Sequence, residues 1–215
     1  MYHYEYATRK VRKPIRDQII ELIKLVQKDL KNEFTFQYKF EGSDKFNLVT
    51  YDPRTNTGFD FDVNLYPNDE KEKYSAKELK TLFINSFNKF TSKFGFDYCG
   101  NSSRVITIKV KDKKHSKVLY SVDFAVVNDY YDNENYWHQE IVFFNKGQNS
   151  YYWQEQPQTF YEFYSRIDAI KENGLWQEVR DLYLEKKNNN INPNKKSRSL
   201  RIETINEIYQ RNFDE

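Results

Sequence analysis

One cysteine, Cys99, stands in a chain of 215 residues, so no disulfide framework forms within it and no zinc site of the Cys-x-x-Cys kind is available. Histidine is nearly as scarce: His3, His115 and His138 share no ligand spacing, which argues against a His-based metal centre. No apolar run approaches the ~18 residues that span a bilayer, and the N-terminal residues do not read as a secretory signal. These absences point to a soluble, cytoplasmic protein with no membrane partner. An excess of one charge is also missing. Lys and Arg number 34 against 32 Asp and Glu, a formal net charge of +2, so overall charge makes no case for nucleic-acid binding.

Aromatic residues are abundant, with 18 Tyr, 17 Phe and 3 Trp. They supply a substantial core although only 38% of the residues are hydrophobic. The basic residues are clustered. One stretch holds Arg9, Lys10, Arg12, Lys13 and Arg16, a second Lys109, Lys111, Lys113, Lys114 and Lys117, and a third Lys186, Lys187, Lys195, Lys196, Arg198 and Arg201. Taken singly, each is an ordinary solvated surface. Arranged around an acidic centre, they suit a polyphosphate carried with a metal.

Two segments supply that acidic centre. Gly58-Phe59-Asp60-Phe61-Asp62-Val63-Asn64-Leu65-Tyr66 and Leu119-Tyr120-Ser121-Val122-Asp123-Phe124-Ala125-Val126-Val127 each read as a β-strand with carboxylates set among apolar residues. Asp60 and Asp62 are two apart, so on a strand they share a face, roughly 6.6–6.8 Å apart along its axis. An isolated Asp-Phe-Asp is an ordinary solvated strand face. With Asp123 on a strand able to pair beside it, three carboxylates converge, and their mutual repulsion calls for a divalent cation. Hard oxygen ligands select Mg²⁺ or Mn²⁺.

The remaining pattern places these strands in a fold. Residues 1–12 read as a polar N-terminal arm, and Pro14 opens a helix carrying Ile19, Leu22, Ile23, Val26 and Leu30 at helical spacing. Phe34, Phe36, Tyr38 and Phe40 alternate as a strand, which Gly42 and Ser43 end. Asp52-Pro53 and Asn56 mark a loop. Ser75 and Glu78 form a capping box for a helix ending near Gly95. Val105, Ile106 and Ile108 mark another strand, a lysine-rich turn leads to the strand of Asp123, and residues 128–150 read as polar and irregular. Helices at about 157–172, 175–187 and 199–212 close the chain. The expectation is an α/β (α+β) fold with a mixed sheet flanked by helices: a core over 13–150, and a small helical part over 151–215 packed on it.

The Gly42-Ser43 turn after a strand, Asp60-Phe61-Asp62 on the next and Asp123 on a later one resemble the motifs of the DNA polymerase β-like nucleotidyltransferase superfamily. The sequences around the carboxylates look most like its bacterial immune branch, related to cGAS and the oligoadenylate synthases. The resemblance covers about residues 13–130 and is looser after 157, where Leu175–Leu184 looks like an amphipathic helix of the family. It implies transfer of a nucleoside monophosphate from an NTP or dNTP to a hydroxyl with release of pyrophosphate. It implies two Mg²⁺ (or Mn²⁺) ions on Asp60, Asp62 and Asp123, with Gly42 and Ser43 at the phosphates. Lys187 and Lys196, with Lys186 and Lys195 as alternatives, would clamp the triphosphate, and Tyr152, beside Tyr151 and Trp153, would stack on the base. The expected role is synthesis of an oligonucleotide or nucleotide second messenger in anti-phage defence, acting with an effector encoded nearby. The C-terminal region is shorter than in typical cyclic-dinucleotide synthases, so the resemblance leaves both a cyclic product and, through an open cleft as in Hailong-type systems, a linear one. The alternatives are a toxin-type enzyme modifying tRNA or protein, and a non-catalytic nucleotide-binding or antitoxin member.

Overall fold

The computed structural model describes residues 2–55, 58–69, 73–112, 114–115, 117–157, 162–192 and 194–214. The chain begins with β1 (Glu5–Tyr6), α1 (Arg9–Leu30), β2 (Thr35–Glu41), α2 (Gly42–Lys45), β3 (Thr50–Tyr51) and β4 (Phe59–Asn68). Then come α3 (Ala76–Phe90) with a 3₁₀ turn at Thr91–Phe94, β5 (Gly100–Asn101), β6 (Ile106–Asp112), β7 (Lys117–Tyr131), β8 (Trp137–Asn145) and β9 (Ser150–Glu155). It closes with α4 (Glu162–Glu172), α5 (Trp176–Asn189) and α6 (Ser197–Phe213). Lys113 of the second basic stretch, Asn56, and residues 158–161 at the expected start of a helix lie outside the described residues. Two compact units emerge, one of Ala7–Val49 and Asn56–Pro157, the other of Met1–Tyr6, Thr50–Thr55 and Gln158–Glu215.

The larger unit is an α/β unit built on a mixed sheet in the order β2-β4-β7-β6-β5, with β8 on β7 and β9 on β8. The β4–β7 pair is parallel and the others are antiparallel. Phe59, Phe61, Val63 and Leu65 of β4 are buried, while Asp60, Asp62, Asn64 and Tyr66 alternate onto the other face. Helix α3 covers the apolar face with aromatic rings. Phe87 stacks 4.3 Å from Phe124, and Phe83 lies 5.0 Å from Phe36 and 5.4 Å from Phe34, edge-on. The capping box is present, Ser75 and Glu78 satisfying each other's backbone N–H, and Gly95 at φ +70° ends the following turn.

Several expectations need correction. The polar arm ends at Thr8, because α1 starts at Arg9 and carries Pro14 inside it. Arg12 holds those first turns: its guanidinium donates to the Ala7 carbonyl at 3.0 Å, to Asp44 at 2.7 Å and to Asn47. These bonds offset the backbone hydrogen bond that proline cannot make. Residues 128–150 are not irregular. β7 runs on to Tyr131 and returns through β8, its turn tied by Asp132 Oδ1, which accepts from the Glu134 and Tyr136 amides at 2.9 Å each. The charges there obscured the β-propensity of Tyr130, Tyr131 and Trp137. Residues 150–155 form β9 in the larger unit, so the helical part does not begin at 151.

In the smaller unit α4 and α5 each pack against α6, burying Ile167, Ile170, Val179, Tyr183, Leu200 and Ile205. Tyr6 donates its hydroxyl to the Arg180 carbonyl at 2.6 Å, which ties the N-terminus to α5. Lys186 pairs with Glu207 at 2.5 Å and Lys195 with Glu203 at 2.7 Å. No helix among the described residues is long and apolar enough to cross a membrane.

One buried cation stands out in the larger unit. Lys80 of α3 is only 1% exposed and donates to the Ser102 carbonyl at 2.7 Å. Burial lowers its pKa to about 8. Replacing it by Met (Lys80→Met) orphans that carbonyl, and chemical denaturation should register a loss of about 1–3 kcal/mol near pH 7. Between pH 8 and the ordinary lysine value the unfolded chain binds more protons than the folded one. The wild type should therefore gain stability relative to the variant as pH rises from 8 to 10.

Candidate active site

The parallel ladder sets Asp60 of β4 beside Ser121 of β7, and Asp62 beside Asp123. Cross-strand neighbours point to the same face, so all three carboxylates share the face of the sheet opposite the one α3 covers. β6 adds Thr107 opposite Asp123 and Lys109 opposite Ser121. Hydroxyls orient two of the acids. Thr107 donates to Asp123 Oδ1 at 2.6 Å, and Ser121 donates to Asp60 Oδ1.

Gly42 follows directly from the end of β2, where Glu41 lies opposite Asp62. Its φ is +61°, and a Cβ there would stand 1.7 Å from Asp62 Oδ2. Only glycine fits both the backbone and the approach. Ser43 follows in α2, and its carbonyl accepts from the Leu48 amide at 2.8 Å. Asp44 anchors this short helix to α1 through Arg12 at 2.7 Å and Arg16 at 3.2 Å. Two residues of the first basic stretch thus hold the turn in place.

Burial, above all, raises the pKa of Asp123. The Thr107 hydrogen bond opposes this, Asp60 adds to it, and Lys109 works against it. A cation at this face would offset both effects by favouring the charged carboxylate. The donor set is all hard oxygen, the kind of ligand Mg²⁺ or Mn²⁺ takes, and the absence of a side chain at Gly42 lets the turn lie against Asp62. Among the described residues no three His, Cys, Asp or Glu side chains form a group drawn close enough to hold a metal ion. The acids share a face, with two of them turned toward neighbouring hydroxyls.

The other expected residues are placed as follows. Tyr152 lies on β9, partly exposed, its ring 5.3 Å from Phe143. Lys187 and Lys196 belong to the smaller unit. Lys187 donates to Thr50 Oγ1 and stands 4.3 Å from the Tyr4 ring centroid, while Lys196 is exposed just before α6. Sequence reasoning missed Thr107, Ser121 and Asp44. A signal for Thr107 was available: in Ile106-Thr107-Ile108-Lys109 the polar positions alternate with buried ones, onto the face that Asp123 uses.

No protein-family model matches the chain, and no curated protein matches it. Solved structures do. The CdnE cyclic dinucleotide synthase of Elizabethkingia meningoseptica, with GTP and Apcpp, matches at TM-score 0.53 and 13% identity, over 89% of this chain and 68% of its own. The STING-associated CdnE c-di-GMP synthase of Capnocytophaga granulosa matches at 0.55 and 17%, over 89% and 57%. The Vibrio cholerae dinucleotide cyclase DncV, with GTP and 5MTHFGLU2, matches at 0.57 and 15%, over 88% and 52%. This chain therefore spans about half to two thirds of the length of those proteins, and it shares their fold.

The close approach at Gly42 is directly testable. Gly42→Ala forces a left-handed backbone on alanine and a collision with Asp62. Denaturant unfolding should report a loss of about 1–3 kcal/mol, and an unchanged midpoint would mean that the turn is not held as described.

Proposed function

We propose that the chain is a metal-dependent nucleotidyltransferase. It transfers a nucleoside monophosphate from an NTP or dNTP to a hydroxyl and releases pyrophosphate, making an oligonucleotide or nucleotide second messenger. One observation carries this reading: the β4–β7 register that puts Asp60, Asp62 and Asp123 on one face, with Gly42 packed against Asp62. The likeness to synthases solved with GTP supports it.

Each residue then has a role. Asp60 and Asp62 would hold divalent cations, and Asp123 would share one on the acceptor side. Such ions supply charge neutralisation at the triphosphate and lower the pKa of the attacking hydroxyl. Gly42 lets the backbone approach the β- and γ-phosphates, and Ser43 offers a hydroxyl donor. Thr107 and Ser121 orient Asp123 and Asp60. The acceptor hydroxyl gives up its proton to solvent water, its oxygen bonds to the α-phosphorus, the bond from that phosphorus to its bridging oxygen breaks, and pyrophosphate leaves with those electrons. The protein contributes mainly position and charge. Lys187 is engaged by Thr50 and Tyr4, so Gly42 and Ser43 are the stronger candidates for the phosphates. Lys196 and Tyr152 remain candidates for phosphate and base. Work alongside a nearby effector in anti-phage defence is the biological setting this reading favours.

The test is a product assay with each labelled NTP and dNTP and Mg²⁺ or Mn²⁺, using wild type and Asp60→Ala/Asp62→Ala. Wild type should form product only with metal, and the double variant should lose at least ~10³-fold, about 4 kcal/mol of transition-state stabilisation. Phosphatase resistance separates cyclic from linear products. Equal turnover in the two proteins would overturn the site, and no transfer to any nucleotide, tRNA or protein acceptor would overturn the reading.

A further inference from the structure

One titratable side chain away from the carboxylate face is held at both of its ring nitrogens. His138 of β8 is partly buried between the β7–β8 turn and the end of β9. Its Nε2 lies 2.8 Å from Asp132 Oδ2 in the turn. Its Nδ1 lies 2.7 Å from Oε1 of Glu155, the last residue of β9. The ring also stacks on Tyr130, its cross-strand neighbour on β7, with centroids 5.2 Å apart and planes 13° from parallel. β7, the turn and β9 therefore meet on one imidazole. A carboxylate only accepts hydrogen bonds, so each ring nitrogen must carry a proton to satisfy both contacts. Neutral imidazole carries one such proton and imidazolium carries two.

We propose that His138 is a proton-operated clasp: as imidazolium it fastens the end of β9 to the β7–β8 turn, and on losing a proton it releases Glu155. The two contacts do not yield equally. Asp132 is built into the turn, because its Oδ1 also accepts from the Glu134 and Tyr136 amides at 2.9 Å each. The Tyr136 amide first, then His138, hold that carboxyl below the usual carboxylate range, so the shared proton belongs to the ring. The Glu155 side chain is 58% exposed and can turn to water. A neutral ring therefore keeps its N–H on Asp132 and presents the Nδ1 lone pair to Glu155, which repels it. The Gln156 amide donates to the Gln139 carbonyl at 2.8 Å, and the larger unit ends at Pro157. Release loosens the strand end from which the chain leaves that unit.

The surroundings favour the charged ring. Beyond Asp132 and Glu155, Glu140 stands opposite Glu155 across the β8–β9 ladder, where it accepts from Asn128 Nδ2 at 3.0 Å. Glu134 lies in the same turn as Asp132, and no Lys or Arg occurs between Val118 and Asn145. Arg104 reaches β9 through Gln154, at 3.0 Å, a residue that alternates with Glu155 onto the other face. The hydrogen bonds to Asp132 and then Glu155 raise the His138 pKa above its ordinary 6.5, against a smaller opposing effect of burial. A raised folded value fixes the sign. The clasp contributes fully below the ordinary histidine value and is lost as pH rises through the folded one.

Nitrogen NMR of the histidine rings and amide hydrogen exchange, both on the full chain between about pH 6 and 9, test this. In wild type both His138 nitrogens should carry protons at the acid end, and the ring should titrate above the ordinary histidine value. Exchange protection of the Gln156 amide, corrected for intrinsic exchange, should fall at least ~threefold through that same transition. Glu155→Gln offers Nδ1 an amide that can either accept or donate, so it should lower the His138 pKa and leave Gln156 protection indifferent to pH. His115→Gln, a change at the other histidine of the larger unit, should keep the wild-type response, and circular dichroism should match wild type in both variants. A His138 ring that titrates at or below the ordinary value would overturn the clasp. So would Gln156 protection that follows pH equally in wild type and Glu155→Gln.

Discussion

The parallel pairing of β4 with β7 is the constraint on which the rest depends. It is the one parallel contact in a sheet whose other described pairs are antiparallel. Its register decides whether Asp62 and Asp123 stand side by side. A slip of one residue would turn Asp123 into the aromatic core and bring Phe124 onto the polar face. The stacked rings of Phe87 and Phe124 oppose that slip, because Phe124 is fully buried where it stands. The apolar face thus enforces the arrangement of the polar one. Three carboxylates that repel one another are held by hydrophobic packing on the reverse side of the same strands.

A second layer of support lies at the turn after β2. Asp44 is nearly buried and meets two guanidiniums, Arg12 and Arg16, both from the first turns of α1. Removing one partner of such a cluster leaves charge uncompensated where water is scarce. The cluster fixes α2, and α2 fixes the approach of Gly42 to Asp62. Sequence reading assigned these arginines to a polyphosphate-binding surface. In the fold both bind Asp44, whose single charge balances one of the two guanidiniums.

What could be read in the sequence followed from local rules. The alternation in Phe59–Tyr66 and Leu119–Val127, the helical spacing of α1 and the Ser75–Glu78 box each contain their own signal within a few residues. Asp60, Asp62 and Asp123 could be grouped because both strands are apolar around them, which leaves the acids one face to occupy. What could not be read depended on partners distant in sequence. The β7–β8 hairpin hides its strands under Asp129, Asp132, Glu134 and Glu140. Asp44 gains its meaning only from α1.

β7 runs without interruption from Lys117 to Tyr131, pairing with β4 along one stretch, with β6 along another and with β8 beyond. Asp123 and Asp129 are therefore marks on a single rod. The spacing between Asp123 and the far end of the strand is set by peptide geometry and not by the reach of any loop. Such a rod works as a ruler. If the two ends serve one substrate, the distance over which it is gripped is counted in strand residues. Changes to the loops at either end can alter which molecules enter, but they leave that length as it is.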